Sequence, residues 1–242
     1  MKRVLVTFPN EHWLHRALMP VWAALLRDQR YEVSLRPPAA KPFENNLHHI
    51  VIDFLREKFD FWLSIDRDNP PICNPLDLVE LDLDIVGLPT PVWHWRGGVR
   101  ERPIHWNGYD YDPSVDAYRE HVPREGLQRV DAIGTGCFMV ARRVFEHPDL
   151  QKGAFTRKLY PDGRVNKGND FSFCERARDA KFSVWCHYDY PCHHYQEIDL
   201  HDAAQAIKGL LTHKSSCPIS DLVCECNAVV TTAGEAGERV AR

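Results

Sequence analysis

Phe59-Asp60-Phe61-Trp62-Leu63-Ser64-Ile65-Asp66-Arg67-Asp68-Asn69-Pro70-Pro71 is the stretch whose reading decides the fold. Phe61 to Ile65 is an uninterrupted apolar, β-prone run and reads as a buried strand. It stops at Asp66, Asp68 follows one residue later, and the double proline forbids further strand or helix. Two carboxylates are thereby delivered to the C-terminal end of a central strand. In an open α/β sheet that edge is where ligands bind. An Asp-x-Asp there is a hard-oxygen site suited to Mg²⁺ or Mn²⁺, ions usually held by one or two carboxylates plus substrate phosphates. The same residues are also ordinary turn chemistry, because Asp caps turns and Pro fixes them.

Working outward, the chain before this stretch alternates strand and helix. Val4 to Phe8 is a continuous apolar strand. Asn10 can cap a helix over 11–28 with Trp13, Ala17, Leu18, Val21 and Leu25 on one stripe, and Pro20 should kink it. A strand over 31–35 and a helix over 45–58 follow. The order β-α-β-α-β implies parallel strands with right-handed crossovers. Beyond Pro71, a short helix over 75–81 and a strand over 84–88 lead into residues 89–123. This region is rich in Pro, Gly, Trp and Tyr, with short strands expected at 92–95 and 103–106. Residues 130–141 are strand-like around Gly134 and Gly136. A helix over 170–180, a strand over 182–187 and a final helix over 202–211 complete the pattern. The expected organisation is a domain over 1–200 and a C-terminal helix and tail over 201–242.

The composition is that of an ordinary folded protein: 242 residues, 44% apolar, 26% charged. A net charge of −4 argues against a broad basic face for nucleic acid. No run approaches the ~18 apolar residues that span a bilayer, and Pro9-Asn10-Glu11 interrupts the N-terminal strand before it could act as a signal peptide. A cytoplasmic protein with no membrane partner is expected. Its eight cysteines then read as thiols or metal ligands.

Three blocks resemble a known family when taken in order: Ile65-Asp66-Arg67-Asp68; Val130-Asp131-Ala132-Ile133-Gly134-Thr135-Gly136-Cys137-Phe138 and on to Phe145; and Gly168-Asn169-Asp170-Phe171-Ser172-Phe173-Cys174-Glu175-Arg176-Ala177, followed by Phe182-Ser183-Val184-Trp185 and Cys192-His193-His194. Over residues 3–195 the chain resembles a small GT-A-fold glycosyltransferase of the inverting, family-two-like kind, similar to phage-encoded members. The resemblance implies a Rossmann-like, mostly parallel sheet flanked by helices, with a small antiparallel acceptor-side subsheet. It also implies transfer of a sugar from a nucleotide-sugar donor, most simply a UDP-sugar, to an acceptor hydroxyl with inversion, in the host cytoplasm if the gene is a phage's. The family's acidic pair appears as Asn169-Asp170, with the first acid absent. Its Arg-Asn pair appears as Asn45-Asn46, with the arginine absent.

Residue by residue, the resemblance implies Asp170 as catalytic base, and Asp66, Asp68 and His194 around Mn²⁺ or Mg²⁺. The nucleotide sugar would meet Thr7, Pro9, Asn46, Asp66, Arg67, Gly134 and Gly136. Asn169, Trp93 and Trp95 would face the acceptor. Each has a plainer reading: Asp170 as a first-turn acid, His194 as a surface histidine, the glycines as a bulge, the tryptophans as core. Separately, His213, Cys217, Cys224 and Cys226 could hold a structural Zn²⁺ or be free thiols. The resemblance implies as acceptor a hydroxymethylated base in phage DNA, whose phosphates Arg96, Arg100, Arg102, Arg124, Arg129, Arg142 and Arg143 could track, or a glycan or protein hydroxyl. A non-catalytic metal- or sugar-binding module is a further reading. A nucleotidyltransferase would need a Gly-rich phosphate loop where Pro9-Asn10-Glu11-His12 stands.

Overall fold

The computed structural model describes residues 1–9, 13–92 and 104–197, together with Ala204 and Lys208, which are helical. The zinc cluster expected at His213, Cys217, Cys224 and Cys226 lies outside the described residues, as do Trp93, Trp95 and most of the 201–242 segment.

The first half runs β1 (Arg3–Thr7), α1 (Leu18–Arg27), β2 (Glu32–Arg36), α2 (Phe43–Arg56), β3 (Phe61–Ile65). β1 pairs in parallel with both β2 and β3, as β-α-β-α-β requires. A 3₁₀ turn over Pro75–Leu81 leads to β4 (Ile85–Gly87). Four short strands follow: β5 (Pro91–Val92), β6 (His105–Trp106), β7 (Gly108–Asp112) and β8 (Ala117–Glu120). Then come β9 (Leu127–Val130), β10 (Ala132–Ile133), β11 (Cys137–Ala141), α3 (Arg142–Glu146) and α4 (Pro148–Gln151). The described chain closes with β12 (Lys158–Leu159), β13 (Val165–Lys167), α5 (Asn169–Asp179) and β14 (Val184–His187).

The main sheet has seven strands in the order β2-β1-β3-β11-β4-β14-β9, with β11 and β9 antiparallel to their neighbours. Small antiparallel sheets join β10-β7-β8, β12-β13 and β5-β6. This is a mixed α/β architecture, a mostly parallel central sheet flanked by helices with small antiparallel sheets beside it, as the resemblance implied. Both faces of the sheet are covered. On one, Leu5, Trp62, Ile85 and Val140 pack with Leu47, Ile50 and Phe54 of α2, Val144 and Phe145 of α3, and Phe173 of α5. On the other, Val4, Val6, Leu63, Val86 and Met139 pack with Leu18, Val21 and Leu25 of α1 and with Leu76 and Val79 of the 3₁₀ turn. That two-sided burial is why β1 and β3 are apolar at nearly every position.

Two local expectations are corrected. The first helix starts at Leu18 rather than near residue 11, and Trp13 lies off its buried stripe, 45% exposed. Pro20 is then its third residue, where the missing N–H is one of the unpaired first-turn donors, so proline breaks no helical hydrogen bond there. The strand-like run over 130–141 is not one strand. It divides into the end of β9, then β10 and β11, which sit in different sheets, with the Gly134-Thr135-Gly136 turn between β10 and β11.

Trp62 anchors the sheet to its helical cover. It is fully buried, its ring lies 5.2 Å from Phe138 and 5.7 Å from both Phe145 and Phe155, and its indole N–H donates to Thr7 Oγ1 at 2.8 Å. Trp62→Ala should therefore cost about 3–5 kcal/mol, read as a lower denaturation midpoint. Trp62→Phe should cost less, losing the hydrogen bond and leaving Thr7 without its donor.

Candidate active site

β3 ends where it must to place its two acids. Beyond Ile65, the Asp66 N–H donates to the Gly136 carbonyl at 2.8 Å, and the Asn69 N–H returns to the Asp66 carbonyl at 3.2 Å, closing the turn that presents Asp66, Arg67 and Asp68. A second segment is zipped against this turn from far along the chain. Pro71 and Cys192 form an antiparallel bridge. The N–H groups of Ile72, His193 and Tyr195 donate to the carbonyls of Pro191, Pro70 and Asp68 at 3.2, 3.0 and 3.0 Å, and Asn69 Nδ2 reaches the His193 carbonyl at 3.3 Å. His194 is thus carried to the acid turn by main-chain pairing rather than by its own side chain.

Between these segments and the Gly134–Gly136 turn lies a cleft of about 570 Å³. Asp66, Asp68, Asp170 and His194 all line it, with Pro9, Arg67, Gly134 and Gly136. The structure thereby brings together residues separated by over a hundred positions. Burial, reinforced by the charges of Asp68 and then Asp170, pushes the Asp66 carboxyl well above the usual range, and Arg67 opposes this. Arg67 lies over the Trp13 ring, 4.9 Å from its centroid. His194 Nδ1 lies 2.7 Å from the Pro91 carbonyl, a contact that puts the proton on Nδ1 and leaves Nε2 with its lone pair. The Gln196 amide sits 3.1 Å from that Nε2.

Asp170 is the second residue of α5, after an N-cap at Gly168. Its Oδ1 accepts the Phe171 N–H at 2.8 Å, so it does serve the helix start as a first-turn acid, while also lining the cleft. A side chain on Gly168 would come within 2.8 Å of that oxygen, which is why glycine precedes it. Burial raises the Asp170 carboxyl pKa above the ordinary value, with those backbone bonds and the charge of Arg157 opposing it. Asn169 does not face the cleft: its Oδ1 accepts the Asp170 N–H at 3.0 Å.

Other expected nucleotide contacts lie elsewhere. Thr7 is buried, and its hydroxyl is engaged by Trp62 and by Ser64 at 3.5 Å. Asn46 is buried and donates to the Pro38 carbonyl at 3.0 Å, tying α2 to the chain before it. Gly134 and Gly136 do line the cleft, but their missing side chains make room for the protein itself. A Cβ on Gly134 would meet Asn107 Nδ2 at 2.7 Å, and one on Gly136 would meet Thr90 Oγ1 at 2.8 Å and Asn69 Oδ1 at 3.1 Å. Three of the arginines proposed to track DNA phosphates are engaged within the chain: Arg124 with Glu120, Arg142 with Glu146 and the carbonyls of Leu55 and Phe59, and Arg143 with Asp82 and Asp84. Arg96, Arg100 and Arg102 lie outside the described residues, and Arg129 is exposed on β9.

The cleft also holds residues that the sequence did not flag: Asn69, Thr90, Asn107, Tyr109 and Phe171. Tyr109 is pushed above the ordinary phenol range by burial and by the charge of Asp170, and its hydroxyl lies 3.0 Å from His105 Nε2. The available signal was a mixed aromatic and polar run, Trp106-Asn107-Gly108-Tyr109-Asp110, in a region without period.

Asp and His are a suitable donor set for Mn²⁺ or Mg²⁺; the Nε2 lone pair of His194 accepts from the Gln196 amide in this structure, and a bound cation would take that amide's place. Among the described residues, no three His, Cys, Asp or Glu side chains already converge tightly enough to hold one unaided. Phosphates and water would have to complete the shell.

No protein-family model and no curated relative matches the sequence. Solved structures do resemble it in shape. A197 from STIV aligns with a TM-score of 0.52 at 16% identity, covering 81% of this chain and 86% of that one. GalNAc-T7 with UDP, GalNAc and Mn²⁺ aligns at 0.48 and 12% identity, over 82% of this chain and 44% of that one. Apo-UDP-glucose pyrophosphorylase aligns at 0.40 and 9% identity, over 88% and 82%. The first is a likeness of fold, and the other two are looser.

The crowding of Asp66 sets a stability test. A carboxyl whose folded pKa is raised binds more protons folded than unfolded, so stability falls as pH rises from about 4 through the raised value. In the presence of a chelator, Asp66→Asn should melt higher than wild type at pH 7, and the difference should vanish below about pH 4. Differential scanning calorimetry across that range reads it directly.

Proposed function

We propose that the chain is a metal-dependent glycosyltransferase that moves a sugar from a nucleotide-sugar donor, in the first instance a UDP-sugar, to an acceptor hydroxyl with inversion. The observation that carries this reading is the convergence of Asp66, Asp68, His194 and Asp170 on one cleft at the C-terminal edge of β1 and β3. Asp68 and His194 Nε2, with Asp66 directly or through water, would hold Mn²⁺ or Mg²⁺. When bound, such an ion neutralises the charge gathering on a departing diphosphate. Arg67, fixed over Trp13, adds a permanent positive charge on the same rim. Pro9 and the Gly134–Gly136 backbone bound the donor's seat.

Asp170 is the general base of this reading. It accepts the proton of the acceptor hydroxyl at a carboxylate oxygen as that hydroxyl's oxygen attacks the anomeric carbon and the nucleoside diphosphate leaves. A pKa raised by burial suits it, since a base works best when its pKa lies nearer the working pH. Trp93 and Trp95 remain proposed acceptor contacts. The internal pairing of Arg124, Arg142 and Arg143 favours a glycan or protein hydroxyl over a modified DNA base.

Melting temperatures with UDP, GDP and TDP and their hexose derivatives, with and without Mn²⁺, test the donor site. One nucleotide should stabilise the protein only with metal, by ~2.7 kcal/mol at a hundred times its dissociation constant. No stabilisation by any of them would end the reading. Asp170→Asn should keep the fold and metal-dependent donor binding while turnover falls by about 10²–10⁴-fold. The acid limb of the kcat/KM profile should lie above pH ~4, the ordinary aspartate value.

A further inference from the structure

We infer that Asn107 and Asn69 read hydroxyl groups of the transferred sugar, so that the donor is a hexose hydroxylated at the positions these two amides face rather than one deoxygenated there. The inference rests on the proposed donor site and adds to it a substrate class and two specificity-determining side chains.

Both asparagines lie in the cleft floor, 5% and 3% exposed, at the two ends of the Gly134–Gly136 turn. Each amide is fixed by its other atom. Asn107 Oδ1 accepts the Thr90 N–H at 2.7 Å, while the Asn107 N–H donates to the Thr90 carbonyl at 3.2 Å and its carbonyl accepts from Gly134 at 3.0 Å. The oxygen is therefore assigned by its donor, and Nδ2 must be the atom beside Gly134, where it has no partner among the described residues. Asn69 is the mirror case. Its Nδ2 donates to the His193 carbonyl, and Oδ1 is left beside Gly136 without a donor among the described residues. The floor thus offers one fixed donor and one fixed acceptor, set against the two ends of the same turn.

An N–H pair and a carbonyl oxygen in one cleft floor, on nearly buried side chains, suit a ring bearing several hydroxyls. One hydroxyl oxygen accepts from Asn107, and another hydroxyl donates to Asn69. A site built this way discriminates strongly, because an analogue lacking a hydroxyl leaves a buried amide atom unpaired. An apolar or deoxygenated ring gains nothing from this floor.

The test compares binding by calorimetry in Mn²⁺ buffer. For whichever nucleotide binds, wild type is titrated with the nucleoside diphosphate, its glucose and galactose derivatives, and their monodeoxy analogues. At least one hexose derivative should bind about tenfold more tightly than the diphosphate alone, and deoxygenation at one ring position should remove that gain. Asn107→Ala should abolish the gain while leaving diphosphate affinity unchanged. Asn107→Asp, which keeps the acceptor for Thr90, covers the case in which the alanine variant does not fold, and should shift which deoxy analogue is penalised. If a diphosphate binds but neither deoxygenation nor the Asn107 variants alter the hexose-to-diphosphate ratio, the inference is overturned and the donor reading stands. If no nucleotide binds with or without metal, both fall.

Discussion

The pairing of residues 68–72 with residues 191–195 is the constraint on which the site depends. It consists of main-chain hydrogen bonds and one amide side chain, so it does not rely on the chemistry it serves. Without it, His194 would not be carried to the cleft that Asp68 lines. The zipper also closes the sheet's ligand edge, since the Cys192 N–H donates to the Pro89 carbonyl at 2.8 Å just beyond β4. Structural hydrogen bonds of this kind are individually worth about 1 kcal/mol. Several in register hold the segments of Asp68 and His194 together, while Asp170 reaches the same space from the start of α5, although the carboxylates there repel one another.

That repulsion is informative. A protein selected for stability alone would not place Asp66 beside Asp68 and Asp170 with a single arginine as counterweight. Perturbed carboxylates of this sort cluster at functional sites. The α5 start shows the same economy of parts, for Asp170 satisfies a helix N–H and still faces the cleft.

The parallel core was legible because its strands are buried on both faces and so read as unbroken apolar runs, and the acid turn was legible because prolines end it. The position of β11 was not. Antiparallel insertion between β3 and β4 is a long-range pairing that no local pattern records. Pro20 misled because its effect depends on where the helix begins, which tertiary packing of Leu18, Val21 and Leu25 decides. Of the site, the charged residues could be found from strand and helix ends. Thr7 and Asn46 could be placed at the right ends but not on the right side, since the faces they occupy are settled by Trp62 and Pro38. Asn69 and Asn107 were invisible for the converse reason. A buried amide announces itself only when its partners are known.

The reversed strand β11 has a consequence for the cleft. A purely parallel sheet sends the beginnings of its strands away from the ligand edge, but a reversed strand brings its own beginning there. The Gly134–Gly136 turn therefore hangs from the middle of the sheet, with β3 and β4 as walls on either side, and not from a surface loop. Its freedom was surrendered when the core formed, so an arriving molecule has little left to immobilise except itself.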